Sequence, residues 1–550
     1  MYSNKENVNI LTALLVEYGV EHIVVCPGSR NAPLVHNFSE CPNIICHPAT
    51  DERSAGFIAL GLRQQLHAPV AVCVTSGSAL LNVLPAAAEA TYQQMGIIVI
   101  SADRPQAWIG QLDGQTLPQP GALGEFVGKC VSLPEPTDDT ERWLCNRMVC
   151  EALLTNLTEA RPSVHINVPI TEPLFDFTVA ELPDERRISW GCWDDDMARD
   201  SIINNIARAK RPMMVIGQIA GGELADDFYY DLKKKMVVLT EQLAVAAQTF
   251  TDQMLYRIQK HPKQYEPDLV VYLGGNTVSK RLRQWLRSID AKHIVINTDG
   301  SMTDVSQHTN IIVKGEPHRV FADINGYLWE NRKPSAFQKK WNELLNETQA
   351  RHESYEPGYS SMLAVKLFED EMTEDDTVYY ANSMSVRLGA IYAKHYIRCN
   401  RGINGIEGSL SVAAGAAIAA MHLDETNVYC VIGDLSFFYD ENALWQQQLS
   451  GNLRILLLNN GQGGIFRNLK GLEQSPARDA FVAASHATSA EGVCRQFDIK
   501  YLKATDTMSL ERGIIELTSI TSHRPVLLEV ITSAEDDERI FKDYYKHLIK

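Results

Sequence analysis

The sequence predicts an α/β protein built from three domains, each with a mostly parallel sheet. Three observations carry this. Short apolar runs bounded by Gly, Pro, Ser or Asn recur along the chain and alternate with segments of helical spacing, as for parallel strands covered on both faces. Two polar stretches interrupt the pattern: residues 169–194, rich in Pro, acidic and aromatic residues, and NETQARHESYEPG at 346–358. The length of 550 residues suits three to four domains at roughly 150 residues each.

The first domain is placed at 1–180. A helix over Asn9–Tyr18 stops at Gly19, and strands follow at His22–Cys26, Val70–Thr75, Ile97–Ile100 and His165–Val168. A helix begins at Asp51, and a small-residue helix follows Ser78. The second domain, 195–345, has strands at Pro212–Gly217, Met236–Leu239, Leu269–Leu273, His293–Asn297 and Asn310–Lys314. The third, 358–550, has strands at Val378–Ala381, Val428–Ile432, Leu453–Leu458, Tyr501–Ala504 and Val526–Val530. Its helix over Ser409–Leu423 is rich in Ala and Gly, which suits close packing against a neighbour.

A formal net charge of -17 argues against a nucleic-acid partner, which calls for a basic face. It leaves room for a small anion held by a local Arg cluster. No apolar run reaches membrane-spanning length, and MYSNKENVNILTALL lacks the basic flank, apolar core and cleavage site of a signal peptide. The eleven cysteines include no CxxC pair. Cys41 and Cys46, near His47, read as buried thiols rather than metal ligands, and the whole pattern fits a cytoplasmic protein.

The most informative stretch lies in the third domain. The run Val428–Ile432 ends in Gly433-Asp434-Leu435-Ser436, a helical segment follows, and the run Leu453–Leu458 ends in Asn459-Asn460. Neighbouring parallel strands bring their C-terminal ends together, where open α/β sheets bind ligands. Asp434 and Asn460 can therefore converge with a main-chain carbonyl on an all-oxygen site suited to Mg²⁺, whose shell a ligand's phosphates would complete. Gly461, Gly463 and Gly464 allow close backbone approach. From these residues alone, an ordinary βαβ unit with an acidic loop competes with this reading.

Other candidates also follow strands. Ser29 and Arg30 come after the Pro27-Gly28 turn, where a guanidinium can take a carboxylate bidentately or simply lie on the surface. Arg104 either binds an anion or pairs with Asp103. Asp51 and Glu52 start a helix and complement its dipole. Gln115 is an amide in a Gly/Pro-rich loop. Ser383 and Arg387 share a helical face, and with Arg401 they would focus positive potential in an acidic protein. Lys280 and Arg281 open a helix against its dipole, a cost that a bound anion would offset; an exposed helix start is the alternative. Ile406, Ile465 and Phe466 supply apolar surface, and His22, His36 and His47 read as structural.

The pairing of GD with NN resembles the fingerprint of the thiamine-diphosphate-dependent enzymes. CPGSR, TDER, GDLS, NSMSVR and NRGINGIEG resemble their 2-succinyl-5-enolpyruvyl-6-hydroxy-3-cyclohexene-1-carboxylate synthase family, which serves menaquinone biosynthesis. Leu435 stands where many superfamily members have Gly, and the span between the two motif halves is one residue shorter than usual. The resemblance implies a pyrimidine-binding first domain, a central domain and a diphosphate- and Mg²⁺-binding third domain. It implies Asp434, Asn460 and the Gln462 carbonyl as metal ligands, with Mn²⁺ able to substitute. Cofactor contacts fall on Glu52, Ile406, Gly433, Asp434, Leu435, Ser436, Asn460, Gln462, Gly463 and Ile465. Glu52 is implied as the proton-relay residue, with Ser29, Arg30 and Gln115 as further catalytic residues. Substrate contacts fall on these last three and on Lys280, Arg281, Ser383, Arg387, Arg401 and Phe466. The implied reaction is decarboxylation of 2-oxoglutarate on thiamine diphosphate and 1,4-addition of the succinyl-semialdehyde carbanion to isochorismate, releasing CO₂. The implied assembly is a homodimer with active sites at its interface, with a tetramer left open. A monocarboxylate-specific decarboxylase or acetohydroxyacid-synthase-like ligase, and a non-catalytic nucleotide-binding scaffold, are the rival readings.

Overall fold

The computed structural model describes every residue except 159, 220–223, 225, 374, 423–426 and 470. The first sheet contains β1 (His22–Val25), β2 (Ile45–Pro48), β3 (Val70–Val74), β4 (Ile98–Asp103), β5 (Lys129–Ser132) and β6 (Val164–Pro169). Their order is β2-β1-β3-β4-β6-β5, with every neighbouring pair parallel. The second sheet contains β7 (Ser189–Cys192), β8 (Pro212–Ile216), β9 (Val237–Thr240), β10 (Leu269–Leu273), β11 (Lys292–Asn297) and β12 (Thr309–Lys314), in the order β7-β12-β11-β10-β8-β9. The third contains β13 (Thr377–Tyr380), β14 (Ile397–Arg398), β15 (Val428–Gly433), β16 (Leu453–Asn459), β17 (Lys500–Ala504) and β18 (Val526–Ile531), in the order β14-β13-β15-β16-β18-β17. Its neighbouring pairs are all parallel. Residues 1–190 with 302–312 form one compact unit, and residues 191–301 with 313–550 form another.

The central strands are buried on both faces, which explains their continuous apolar sequences. Every residue of β16 is buried, including Arg454, whose guanidinium donates to the carbonyls of Leu517 and Ile520 at the end of helix Thr507–Ser519. A cation there satisfies orphan carbonyls and complements the helix dipole. The helix beginning at Ser409 runs to His422, and Leu423, expected to end it, lies outside the described residues. Among the described residues, no helix is long and apolar enough to cross a membrane.

One expected connector is helical. Helix Ala336–Glu353 runs through most of the polar stretch read as a linker. Phe337, Trp341, Leu344 and Thr348 are its buried stripe, spaced four, three and four residues apart. Arg257 donates to the Leu344 carbonyl and the Thr348 hydroxyl, securing the last turns. The many charges that suggested a linker are the solvated face of this helix. Strands β5, β7 and β14 also went unread, because short edge strands carry little apolar alternation.

In the first unit, buried His165 on β6 meets the Ser101 hydroxyl through Nε2 at 2.8 Å and Cys130 Sγ through Nδ1 at 3.3 Å. Burial pulls its pKa down to about 4. The unfolded chain takes up a proton near pH 6.5 while the folded imidazole stays neutral. Acid therefore erodes stability as pH falls from about 6.5 to about 4, by about 3 kcal/mol in full. His165→Gln should show a smaller loss of urea midpoint between pH 7 and pH 4.5 than the parent; equal losses would remove the imidazole from this role.

Candidate functional site

The third sheet brings the two halves of the Gly-Asp and Asn-Asn pattern together. Gly433, at the end of β15, lies opposite Leu458 on β16, so the residues just beyond each strand are neighbours. Asp434 starts helix Asp434–Tyr439 and is 4% exposed. Its Oδ1 accepts from Leu435 N–H at 2.7 Å, and its Oδ2 accepts from Gly461 N–H at 2.8 Å and Gln462 N–H at 3.2 Å. Gly461 sits at φ 76°, the left-handed conformation that turns the chain back over the carboxylate. Asn460 Oδ1 accepts from Gln462 N–H at 3.3 Å.

Burial pushes the Asp434 carboxyl above its ordinary value, against the Leu435 N–H, His486 and the two N–H groups of the neighbouring turn. The protein's own donors thus meet this charge only in part, and a divalent cation suits what remains. The donor set of one carboxylate, the Asn460 amide oxygen and the Gln462 carbonyl is all oxygen, the chemistry that Mg²⁺ takes. With a single carboxylate, it leaves positions for anionic oxygens of a ligand. Ser383, Ile406, Gly433, Leu435, Ser436, Gly463, Ile465 and Phe466 line the same pocket, so the structure gathers the residues implied for cofactor binding in the third domain. A Cβ at Gly463 would come within 2.8 Å of the Phe466 ring, which fixes glycine there.

A second cavity of ≈ 450 Å³ adjoins this pocket, sharing Met384, Ile465 and Phe541 with it. Lys280, Arg281 and Arg387 line it, with Tyr256 and Tyr545. Arg281 is paired with Asp252 and lies over the Tyr256 and Tyr545 rings at 5.0 and 5.1 Å. Lys280 and Arg387 carry no ion pair among the described residues, so they are the cations open to an anionic ligand. Helix Lys280–Ser288, whose basic start at Lys280 and Arg281 was expected to need a bound anion, carries its own anion. The Glu241 carboxylate accepts from Val278 N–H at 2.6 Å and Ser279 N–H at 2.7 Å, while the Ser279 hydroxyl caps Leu282 N–H. Arg401 is not brought into this cavity. It is buried, donates to Asn382 Oδ1 at 2.9 Å and the Thr277 carbonyl at 3.0 Å, and borders a separate cavity with Arg398 and Asn276.

In the first unit, the candidates follow β1 to β4 at the C-terminal edge of one parallel sheet. Glu52 is the first residue of helix Glu52–Leu66, half-buried, and accepts from the Asn82 amide at 3.3 Å; Asp51 caps the helix. Ser29 is exposed, whereas Arg30 is buried and donates to the Ile170 carbonyl and to Glu172, both at 2.9 Å. The Arg104 guanidinium pairs with Asp113 at 2.5 Å and reaches the Ser76 hydroxyl at 3.1 Å, while its backbone N–H donates to Asp103 Oδ1 at 2.8 Å. Gln115 is exposed, and its backbone packs on Gly77, where a Cβ would lie 3.1 Å from the Gln115 carbonyl. Buried Gln119 accepts from Gly77 N–H at 2.7 Å and anchors the loop.

Sequence reasoning missed His486, Glu529 and Asp537. His486 Nε2 lies 3.4 Å from Asp434 Oδ2, and its Nδ1 accepts from Thr488 N–H, which leaves the ring proton on Nε2. No spacing rule links it to Asp434. Glu529, fully buried on β18, accepts from Asn459, Ser489, Tyr501 and Ala490 N–H, holding the loop that carries His486. A glutamate inside the apolar run VLLEVI was its signal.

Comparison with known proteins adds two kinds of likeness. The family model for the N-terminal TPP-binding domain of thiamine pyrophosphate enzymes matches residues 6–122, and that for their C-terminal TPP-binding domain matches residues 383–530. The chain is 42% identical to the 2-succinyl-5-enolpyruvyl-6-hydroxy-3-cyclohexene-1-carboxylate synthase of Bacteroides fragilis and 41% identical to that of Bacteroides thetaiotaomicron, covering 100% of both chains in each case. It is 33% identical to the Flavobacterium johnsoniae synthase, covering 96% of each chain.

Glu241→Ala should leave two buried N–H groups and a basic helix start uncompensated. We expect a loss of about 2–4 kcal/mol in urea unfolding; parental stability would show that the helix start is satisfied without this carboxylate.

Proposed function

The chain belongs to the 2-succinyl-5-enolpyruvyl-6-hydroxy-3-cyclohexene-1-carboxylate synthase family, and from that premise we propose that it decarboxylates 2-oxoglutarate and adds the remaining four-carbon unit to isochorismate in a 1,4 sense. The products are 2-succinyl-5-enolpyruvyl-6-hydroxy-3-cyclohexene-1-carboxylate and CO₂, within menaquinone biosynthesis. The observation that carries the proposal is the convergence of Asp434, Asn460 and Gln462 beside a cavity edged by Lys280 and Arg387.

Bound thiamine diphosphate supplies the electron sink for decarboxylation. The chain's residues do the rest. Asp434, Asn460 Oδ1 and the Gln462 carbonyl would hold Mg²⁺, or Mn²⁺ in its place, as the counter-charge for the cofactor's diphosphate. Gly433, Leu435, Ser436 and Gly463 form the surrounding wall, Ile406 supports the cofactor rings, and Ile465 and Phe466 keep the reacting end apolar. Glu52 holds the proton shared with the aminopyrimidine nitrogen. Lys280 and Arg387 meet substrate carboxylates directly, with Ser383 alongside. Arg281 and Arg30, already paired with Asp252 and Glu172, present fixed guanidinium edges. Arg401 braces the Asn382 turn. Ser29 and Gln115 contribute hydrogen bonds to substrate. The proposed assembly is a homodimer in which Glu52 of one protomer serves the cofactor held by its partner, with tetramers as a further association.

A decarboxylase or ligase for monocarboxylates has no use for a cationic cavity in a protein of net charge -17. The direct test is mass spectrometry of products from 2-oxoglutarate, Mg²⁺ and thiamine diphosphate, with and without isochorismate. An adduct formed only when isochorismate is present is expected. Succinic semialdehyde alone, with isochorismate present, would overturn the proposal. Glu52→Gln should lower turnover by roughly 10²–10⁴-fold while retaining cofactor binding, and Asp434→Ala should weaken binding itself; reversed phenotypes would contradict these roles.

A further inference from the structure

Asn460 can ligate a cation through only one end of its amide. The oxygen binds, whereas the NH₂ group repels, and the two ends are nearly the same size. A half-turn about the last torsion would exchange them at little steric cost, so something must set the orientation. Asp537, in the first turn of helix Ala534–His547, lies across the pocket floor. Its Oδ2 accepts from Asn460 Nδ2 at 2.9 Å, which turns Asn460 Oδ1 toward Gln462 N–H and the Asp434 side.

Asp537 is itself held from several directions. Its Oδ1 accepts from Ser361 N–H at 2.8 Å, at the start of helix Ser361–Glu371. Its Oδ2 also accepts from the Ser361 hydroxyl at 2.6 Å and the Thr532 hydroxyl just past β18 at 3.0 Å. A carboxylate fixed at a helix N-terminus cannot follow a rotating amide. A flipped Asn460 would set its oxygen against this carboxylate and its NH₂ against the cation, both unfavourable.

We infer that Asp537 is a positioning residue for the metal site, fixing the Asn460 amide with its oxygen toward the cation. This rests on the reading of Asp434, Asn460 and Gln462 as the metal ligands. Outer partners that orient a ligand typically change metal affinity 10–100-fold when altered.

The test is calorimetric titration of Mg²⁺ into the full-length protein with thiamine diphosphate present, together with the melting temperature of the metal-free protein. Asp537→Asn should keep the fold, because the Ser361 and Thr532 hydroxyls can turn to accept from the new amide, yet lower Mg²⁺ affinity by roughly 10–100-fold. The exchange Asn460→Asp with Asp537→Asn should restore affinity to within a few-fold. It places a carboxylate at 460, which ligates from either oxygen, and an amide at 537, which donates to it. A merely structural role for Asp537 would lower the melting temperature and show no rescue by the exchange. Parental affinity in Asp537→Asn, or no recovery in the exchange, would overturn the inference. Absence of any Mg²⁺-dependent binding in the parent would overturn the metal-site reading and this inference with it.

Discussion

The buried carboxylate of Asp434 accepts N–H hydrogen bonds from its own strand end and from the turn that follows the neighbouring strand. A carboxylate this enclosed is costly unless its charge is met. The rest of the third sheet is organised to permit it. Parallel pairing of β15 with β16 sets the two turns side by side, and the left-handed Gly461 directs its N–H inward. Glu529 ties Asn459 to the loop bearing His486. Asp537 ties Asn460 to the start of helix Ser361–Glu371. The sheet edge is a pre-arranged set of oxygen donors around a buried carboxylate whose charge is only partly met by protein donors.

Internal counter-charges recur at the other candidate cations, within each unit. Arg281 rests on Asp252, Arg30 on Glu172, and the basic helix start on Glu241. These partners hold guanidinium groups in fixed orientations, and a fixed group forfeits less freedom when a carboxylate arrives. Lys280 and Arg387 supply the unbalanced positive charge. In an acidic protein such a cavity concentrates positive field locally, which suits a polyanionic ligand.

Much of the fold was legible in the sequence because parallel strands buried on both faces write themselves as apolar runs, and their C-terminal turns carry the polar residues of the candidate site. Val428–Ile432 with Asp434, and Leu453–Leu458 with Asn460, are such cases, and the structure places their ends together. What escaped was information that arises only in three dimensions. His486, Asp537 and Glu529 reach the site from separate loops and strands, and no fixed spacing joins them to the motif. The segment after Trp341 misled because a helix with a narrow buried stripe and a broad charged face has the composition of a linker. Arg401 stands apart from the other candidate cations: its guanidinium donates to Asn382 and to the Thr277 carbonyl, contacts that sequence position alone does not reveal.

The proposed chemistry depends on a cation lying between the ends of β15 and β16. Anomalous diffraction from crystals grown with Mn²⁺ and thiamine diphosphate locates it directly. The expected result is a single strong peak within bonding distance of Asp434, Asn460 Oδ1 and the Gln462 carbonyl. A peak elsewhere, with these three oxygens left without metal, would contradict it.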